Sequence, residues 1–205
     1  MNVLLHPTYF PSISHWIGIV KAHEVIFEVN DTYQKQTYRN RAYIYSANGK
    51  LSLSVPVIYS QKNRQLYKDI KIHNEEKWQS LHWKSLLSAY STSPFFEYYQ
   101  DEIAPLFHSN QKYLLEFNFK CLETIFECLQ LELEYNTTQL FEKEPKNLKD
   151  LRYLANVRKE KNYKFSEYTQ VFSNKHGFIS NLSILDLLFN EGPNAITYLE
   201  AQTIS

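Results

Sequence analysis

Apolar positions change period several times along the chain, and each change marks an element. Val3 to Leu5 is a short apolar run broken by Pro7 and Pro11. Ser12 then precedes Ile13, Trp16, Ile17 and Val20, the spacing of a helix face with Ser at its N-cap. Val25 to Val29 carries branched residues in alternation and predicts a strand. The chain therefore opens as strand, loop, helix, strand, the size of a βαβ unit. Ala42 to Tyr45 and Leu51 to Val57 flank Asn48-Gly49, a strong hairpin signal. Ile70 and Ile72 predict another strand, ahead of a helix over Glu75 to Tyr90.

After Pro94, Phe95 to Phe107 reads as a helix. Tyr113 to Leu133 reads as a longer one, with Leu114, Phe117, Cys121, Ile125, Cys128 and Leu131 in one stripe. Residues 136–164 are polar and charged and predict an irregular connector. Tyr168 to Phe172 reads as a last strand. Leu182 to Asn190 is an apolar helix with Ser183 near its start, stopped by Gly192-Pro193. The expected fold is a mixed α/β (α+β) single domain over 1–205, with one mixed sheet, the opening strand–loop–helix–strand unit and a helical layer.

Composition narrows the function. Only four of 205 residues are Gly, too few and too far apart for G-x-G-x-x-G or a P-loop. Lys+Arg and Asp+Glu are 22 each, which argues against a dedicated nucleic-acid binder. The distribution is uneven. Lys35 to Lys71 holds eight Lys/Arg against one acid, Phe95 to Pro145 ten acids against three Lys, and Lys146 to Lys164 seven Lys/Arg against two acids. Cys121 and Cys128 lie seven apart on one helix face, as buried thiols and not a metal pair. The N-terminus lacks the basic and apolar regions of a signal peptide, and no apolar run spans a membrane. A cytoplasmic protein is expected, and no metal site or cofactor motif is legible.

Four segments can carry chemistry. His6-Pro-Thr-Tyr9-Phe-Pro-Ser-Ile-Ser-His15 follows the first strand, where loops face ligand crevices, and its histidines can move protons. Tyr33 to Arg41 packs Lys35, Arg39 and Arg41 among amides and phenols as an anion cradle; if extended, Lys35, Thr37, Arg39 and Arg41 share one face. Trp78 and His82 share a helix face. Gln170 stands near Asp186, a carboxylate inside an apolar helix that needs a partner, with Arg41 or His82 as candidates.

Together these segments resemble the WbqC-like protein family over nearly the whole chain. The Pro7-x-Tyr9-Phe10-Pro11 loop, Lys35 with Asn40-Arg41, Leu53-x-Val55-Pro56-Val57, Trp78…His82, Ala89-Tyr90…Pro94-x-Phe96 and Leu182 to Asn190 carry the resemblance. It implies an association with surface-polysaccharide (O-antigen) synthesis. The functional expectation is an enzyme acting on an activated sugar or other phosphorylated metabolite, by group transfer. His82 and His6 would move the proton, and Tyr9, Lys35, Arg39, Asn40, Arg41 and Gln170 would bind a small anionic metabolite such as a nucleotide sugar. Lys35, Asn40, Arg41, His82 and Gln170 are expected to line one site, with His6 and Tyr9 at its edge. The alternative is a non-catalytic scaffold, a homo-oligomer joined through Phe95, Phe96, Tyr98 and Tyr99.

Overall fold

Val3, Leu4 and Leu5 form β1 (Val3–Leu5), buried along its whole length as an inner parallel strand must be. The computed structural model describes residues 1–60, 64–132 and 134–204. Lys62 of the basic run, Leu133 at a predicted helix end and Ser205 at the predicted domain end lie outside them. After α1 (Ile13–Val20), β2 (Val25–Phe27) pairs with β1 in parallel, Val3 opposite Val25 and Leu5 opposite Phe27. The opening unit is as the pattern predicts. Ser12, however, does not cap α1 with its side chain; its Oγ lies 3.0 Å from Ser14 Oγ and 3.3 Å from His15 Nδ1.

β3 (Arg41–Ser46) and β4 (Gly49–Ser54) form the expected hairpin. Ser46 pairs with Gly49, so Ala47 and Asn48 occupy the centre of the turn and Gly49 leaves it at φ +95°. β5 (Val57–Ile58) and β6 (Lys71–Ile72) make a second antiparallel pair. The helical layer follows as α2 (Trp78–Tyr90), α3 (Phe96–Ile103) and α4 (Leu114–Cys128). α4 buries the predicted stripe from Leu114 to Cys128, and with it Asn118, which the pattern had not marked.

The predicted connector supplies two strands. β7 (Tyr135–Thr137) pairs with β2, and β8 (Lys149–Asp150) with β1, both in parallel, giving the order β7-β2-β1-β8. The class is the expected mixed α/β, with the strands shared between this parallel sheet and the two antiparallel pairs. Polar composition hid β7 and β8 because both are short edge strands with mostly exposed side chains.

No strand forms over Tyr168 to Phe172. The Gln170 side chain takes the place of a strand partner: its Oε1 accepts from Ile179 N at 2.9 Å and its Nε2 donates to Ile179 O at 3.0 Å. α5 (Ser173–His176) is a single turn. α6 (Ile184–Glu191) is capped by Ser183 Oγ, which accepts from Leu185 N, and α7 (Ala195–Ala201) packs on α1. Asp186 of α6 is fully buried and pairs with neither Arg41 nor His82. It accepts from Tyr90 OH at 2.8 Å, Tyr168 OH at 2.5 Å and Gln170 Nε2 at 2.8 Å. Burial raises its pKa and the three donors offset that only in part.

Each of those donors is buried, and an unsatisfied buried donor costs about 1–3 kcal/mol. Asp186→Ala is therefore expected to lower unfolding free energy by at least about 3 kcal/mol, read by urea denaturation. A loss below about 1 kcal/mol would mean that the cluster is not a stabilising unit.

Candidate functional site

Neighbouring parallel strands end at one edge of a sheet, so the residues that follow them converge there, and that edge is where α/β sheets take ligands. His6 follows β1 directly, Asp31 comes four residues after β2, Phe141 four after β7, and Arg152 two after β8. All four line one cleft of about 210 Å³.

Arg39, only 2% exposed, lines the same cleft. Its Nη2 donates to Asp31 Oδ2 and to His6 Nε2, each at 2.7 Å, and His6 Nε2 lies 3.3 Å from the same carboxylate oxygen. The Tyr67 ring sits 5.3 Å from the guanidinium carbon, while Asn118 Nδ2 donates to Arg39 O at 2.6 Å. Tyr67 OH in turn donates to Pro7 O at 2.7 Å, tying the loop after β1 to the same support. Among the described residues Arg39 Nε and Nη1 have no hydrogen-bond partner. A buried charged group with two idle donors calls for an acceptor, and the cleft is where one can enter.

Electrostatics sorts the roles. Burial and the adjacent Arg39 charge lower the His6 pKa to about 4 against the opposing pull of Asp31, so the imidazole is neutral near pH 7. Since Nε2 accepts from Arg39, the proton sits on Nδ1. Burial raises the Asp31 carboxyl, but its neighbours His6 and Arg39 outweigh it and hold the pKa at about 2. At the rim, Arg152 is already committed: it donates to both carboxylate oxygens of Asp150 and to the carbonyls of Glu142 and Lys143. Lys159 adds an exposed cation. The arrangement can hold an anion on Arg39 and offer a neutral imidazole beside it.

Of the residues singled out in the sequence, His6 and Arg39 meet here. The segment before Arg41 is not extended: Gln36 takes φ +58° and breaks the alternation, so Lys35 faces solvent over the Tyr59 ring while Arg39 turns inward. Asn40 donates from Nδ2 to Val55 O, and Arg41 begins β3. Tyr9 and His82 meet each other instead, with Tyr9 OH 2.9 Å from His82 Nδ1 among the rings of Phe117, Trp78 and Phe107. Gln170 belongs to the Asp186 cluster. None of the five residues expected to share one site lines this cleft. Asp31, Phe141, Arg152 and Lys159 were missed. Asp31 was within reach of the strand-end rule that marked His6, because β2 was read; the others follow strands hidden in the charged segment.

A model of the WbqC-like protein family matches residues 6–164 and 158–198. An uncharacterized protein of Mycobacterium tuberculosis (strain ATCC 25618 / H37Rv), Rv1507c, is 24% identical over 228 residues, covering 96% of this chain and 96% of that protein. No solved structure matches the chain. The described residues include no helix long and apolar enough to cross a membrane.

Three buried histidines make acid stability a direct test. Burial, the first cause in each case, lowers His6 to about 4, His15 to about 3 and His82 to about 4. The folded pKa values lie below the unfolded value near 6.5, so the unfolded chain binds more protons once pH falls below that value. Their stabilising neutrality is complete above pH 6.5 and is lost as pH falls through the folded values; Asp186, shifted upward, opposes the trend. Unfolding free energy in urea should drop by about 1 kcal/mol per histidine between pH 7 and 5.5. A flat profile across that window would show these imidazoles to be open to protonation in the folded state.

Proposed function

The chain belongs to the WbqC-like protein family, and we propose that it is a cytoplasmic enzyme acting on an activated sugar or other phosphorylated metabolite, by group transfer, in the assembly of cell-surface polysaccharide. The observation that carries this reading is Arg39, buried at the carboxyl edge of a parallel sheet with Nε and Nη1 unclaimed. A guanidinium in that state suits a phosphate oxygen better than a neutral group, because charge-assisted hydrogen bonds are roughly twice as strong as neutral ones.

In this reading Arg39 binds the phosphate through Nε and Nη1 while Asp31 keeps hold of Nη2. Lys159 adds charge at the entrance. His6, neutral at working pH, gives up the Arg39 hydrogen bond at Nε2 and accepts there the proton of an attacking hydroxyl, whose oxygen bonds the transferred group as the bond to the phosphate breaks and the phosphate leaves on Arg39. Asp31 then stabilises the resulting imidazolium, since its oxygen is already 3.3 Å from Nε2. The two buried thiols, Cys121 and Cys128, suit a reducing compartment.

A ligand present at a hundred times its Kd stabilises the folded state by about 2.7 kcal/mol. For a chain of this size that is a rise in melting temperature of about 5–10 °C. Nucleotide sugars and sugar phosphates screened by thermal shift should include at least one such compound. Arg39→Lys should abolish the shift, because an ammonium cannot reproduce the paired Nε and Nη1 donors. A shift that survives in Arg39→Lys would place the ligand elsewhere.

A further inference from the structure

Resting on the anion reading above, we propose that the mouth of this cleft is a subsite for the planar base of a nucleotide, with Phe141 and Tyr153 as its stacking surfaces. Depth is the first argument. The cleft runs from Arg39, 2% exposed, to the exposed rings of Phe141 and Tyr153, so a ligand whose phosphate reaches Arg39 carries the rest of itself toward those rings. Exposure is the second. Among the described residues the exposed aromatic side chains are Tyr98, Phe141 and Tyr153, and two of the three line this cleft. Phe141 is 47% exposed and Tyr153 38%, whereas apart from Tyr98 the other described Phe, Tyr and Trp rings are buried or half-buried.

These rings are also held in place. The Arg152 guanidinium lies 5.3 Å from the Phe141 ring centre, and its own position is set by Asp150 and by the carbonyls of Glu142 and Lys143. Phe141 therefore rests on a braced cation and keeps its other face for a ligand. Tyr153 follows Arg152 in the same turn. Asn156, also on the cleft, fixes its amide by accepting from Arg158 N with Oδ1 at 3.1 Å, which leaves Nδ2 as a donor for the edge of a base. An inorganic anion would use none of these groups, whereas a nucleotide uses its phosphates on Arg39 and its base on the rings.

Calorimetric titration of the full chain with UDP, ADP and inorganic pyrophosphate separates the two layers of this argument. At least one nucleotide should bind 10-fold or more tighter than pyrophosphate. Phe141→Ala and Tyr153→Ala should each weaken nucleotide binding by roughly 5- to 150-fold, the range for one base–aromatic stack, and leave pyrophosphate binding unchanged. Phe141→Leu, which keeps apolar bulk without a flat π-face, should behave like Phe141→Ala and guards against a folding artefact. Equal binding of nucleotides and pyrophosphate, indifferent to Phe141 and Tyr153, would overturn the base subsite and leave the anion reading standing. Binding of none of the three would overturn both.

Discussion

A guanidinium almost wholly withdrawn from solvent, on the wall of a cleft, organises the centre of this molecule. Removing a charge from solvent costs several kcal/mol unless partners surround it, and leaving one such charge unpaired costs about 3–5 kcal/mol. Arg39 meets that demand with Asp31, His6 and the face of Tyr67, and its carbonyl is held by Asn118. These groups come from the loop after β1, the segment after β2, the turn before β6 and the middle of α4. The requirement of one side chain thus pins four stretches of chain. It also explains two polar residues in otherwise apolar surroundings, Asn118 on the α4 stripe and Tyr67 under the guanidinium.

A second buried polar centre follows the opposite rule. Among the described residues Asp186 has no cation; its carboxyl group accepts from neutral donors of α2 and the Tyr168–Gln170 segment. With every donor matched, such a network fixes geometry, because any displacement strands a polar group. Arg39 differs in keeping donors in reserve. Satisfied polarity builds structure in one place, and unsatisfied polarity marks an open position in the other.

Much of this was legible from residue order, but not all for the same reason. Helices α1 to α4 and α6 showed through their apolar periodicity, and β1 to β4 through branched residues and the Asn48-Gly49 turn. Their packing is local enough for pattern to report it. β7 and β8 were hidden because an edge strand of two or three residues takes its stability from the strand beside it, not from its own side chains. Gln170 was misread for a related reason. Its amide copies a backbone pairing with Ile179, so an alternating stretch satisfies itself without a strand. The site suffered most. The basic run shares one face only where the chain is extended, and one left-handed residue, Gln36, sends Lys35 to solvent and Arg39 inward.

The order in which the sheet is completed has a consequence for the chain as it is made. β1 and β2 stand more than a hundred residues ahead of their outer neighbours, Tyr135–Thr137 and Lys149–Asp150. Over that stretch of synthesis the central pair has two open edges. Long-range parallel pairing of this kind is slow, because loop closure precedes any reward. The cleft exists only once its late wall has been made: no truncated product ending before Arg152 can display it.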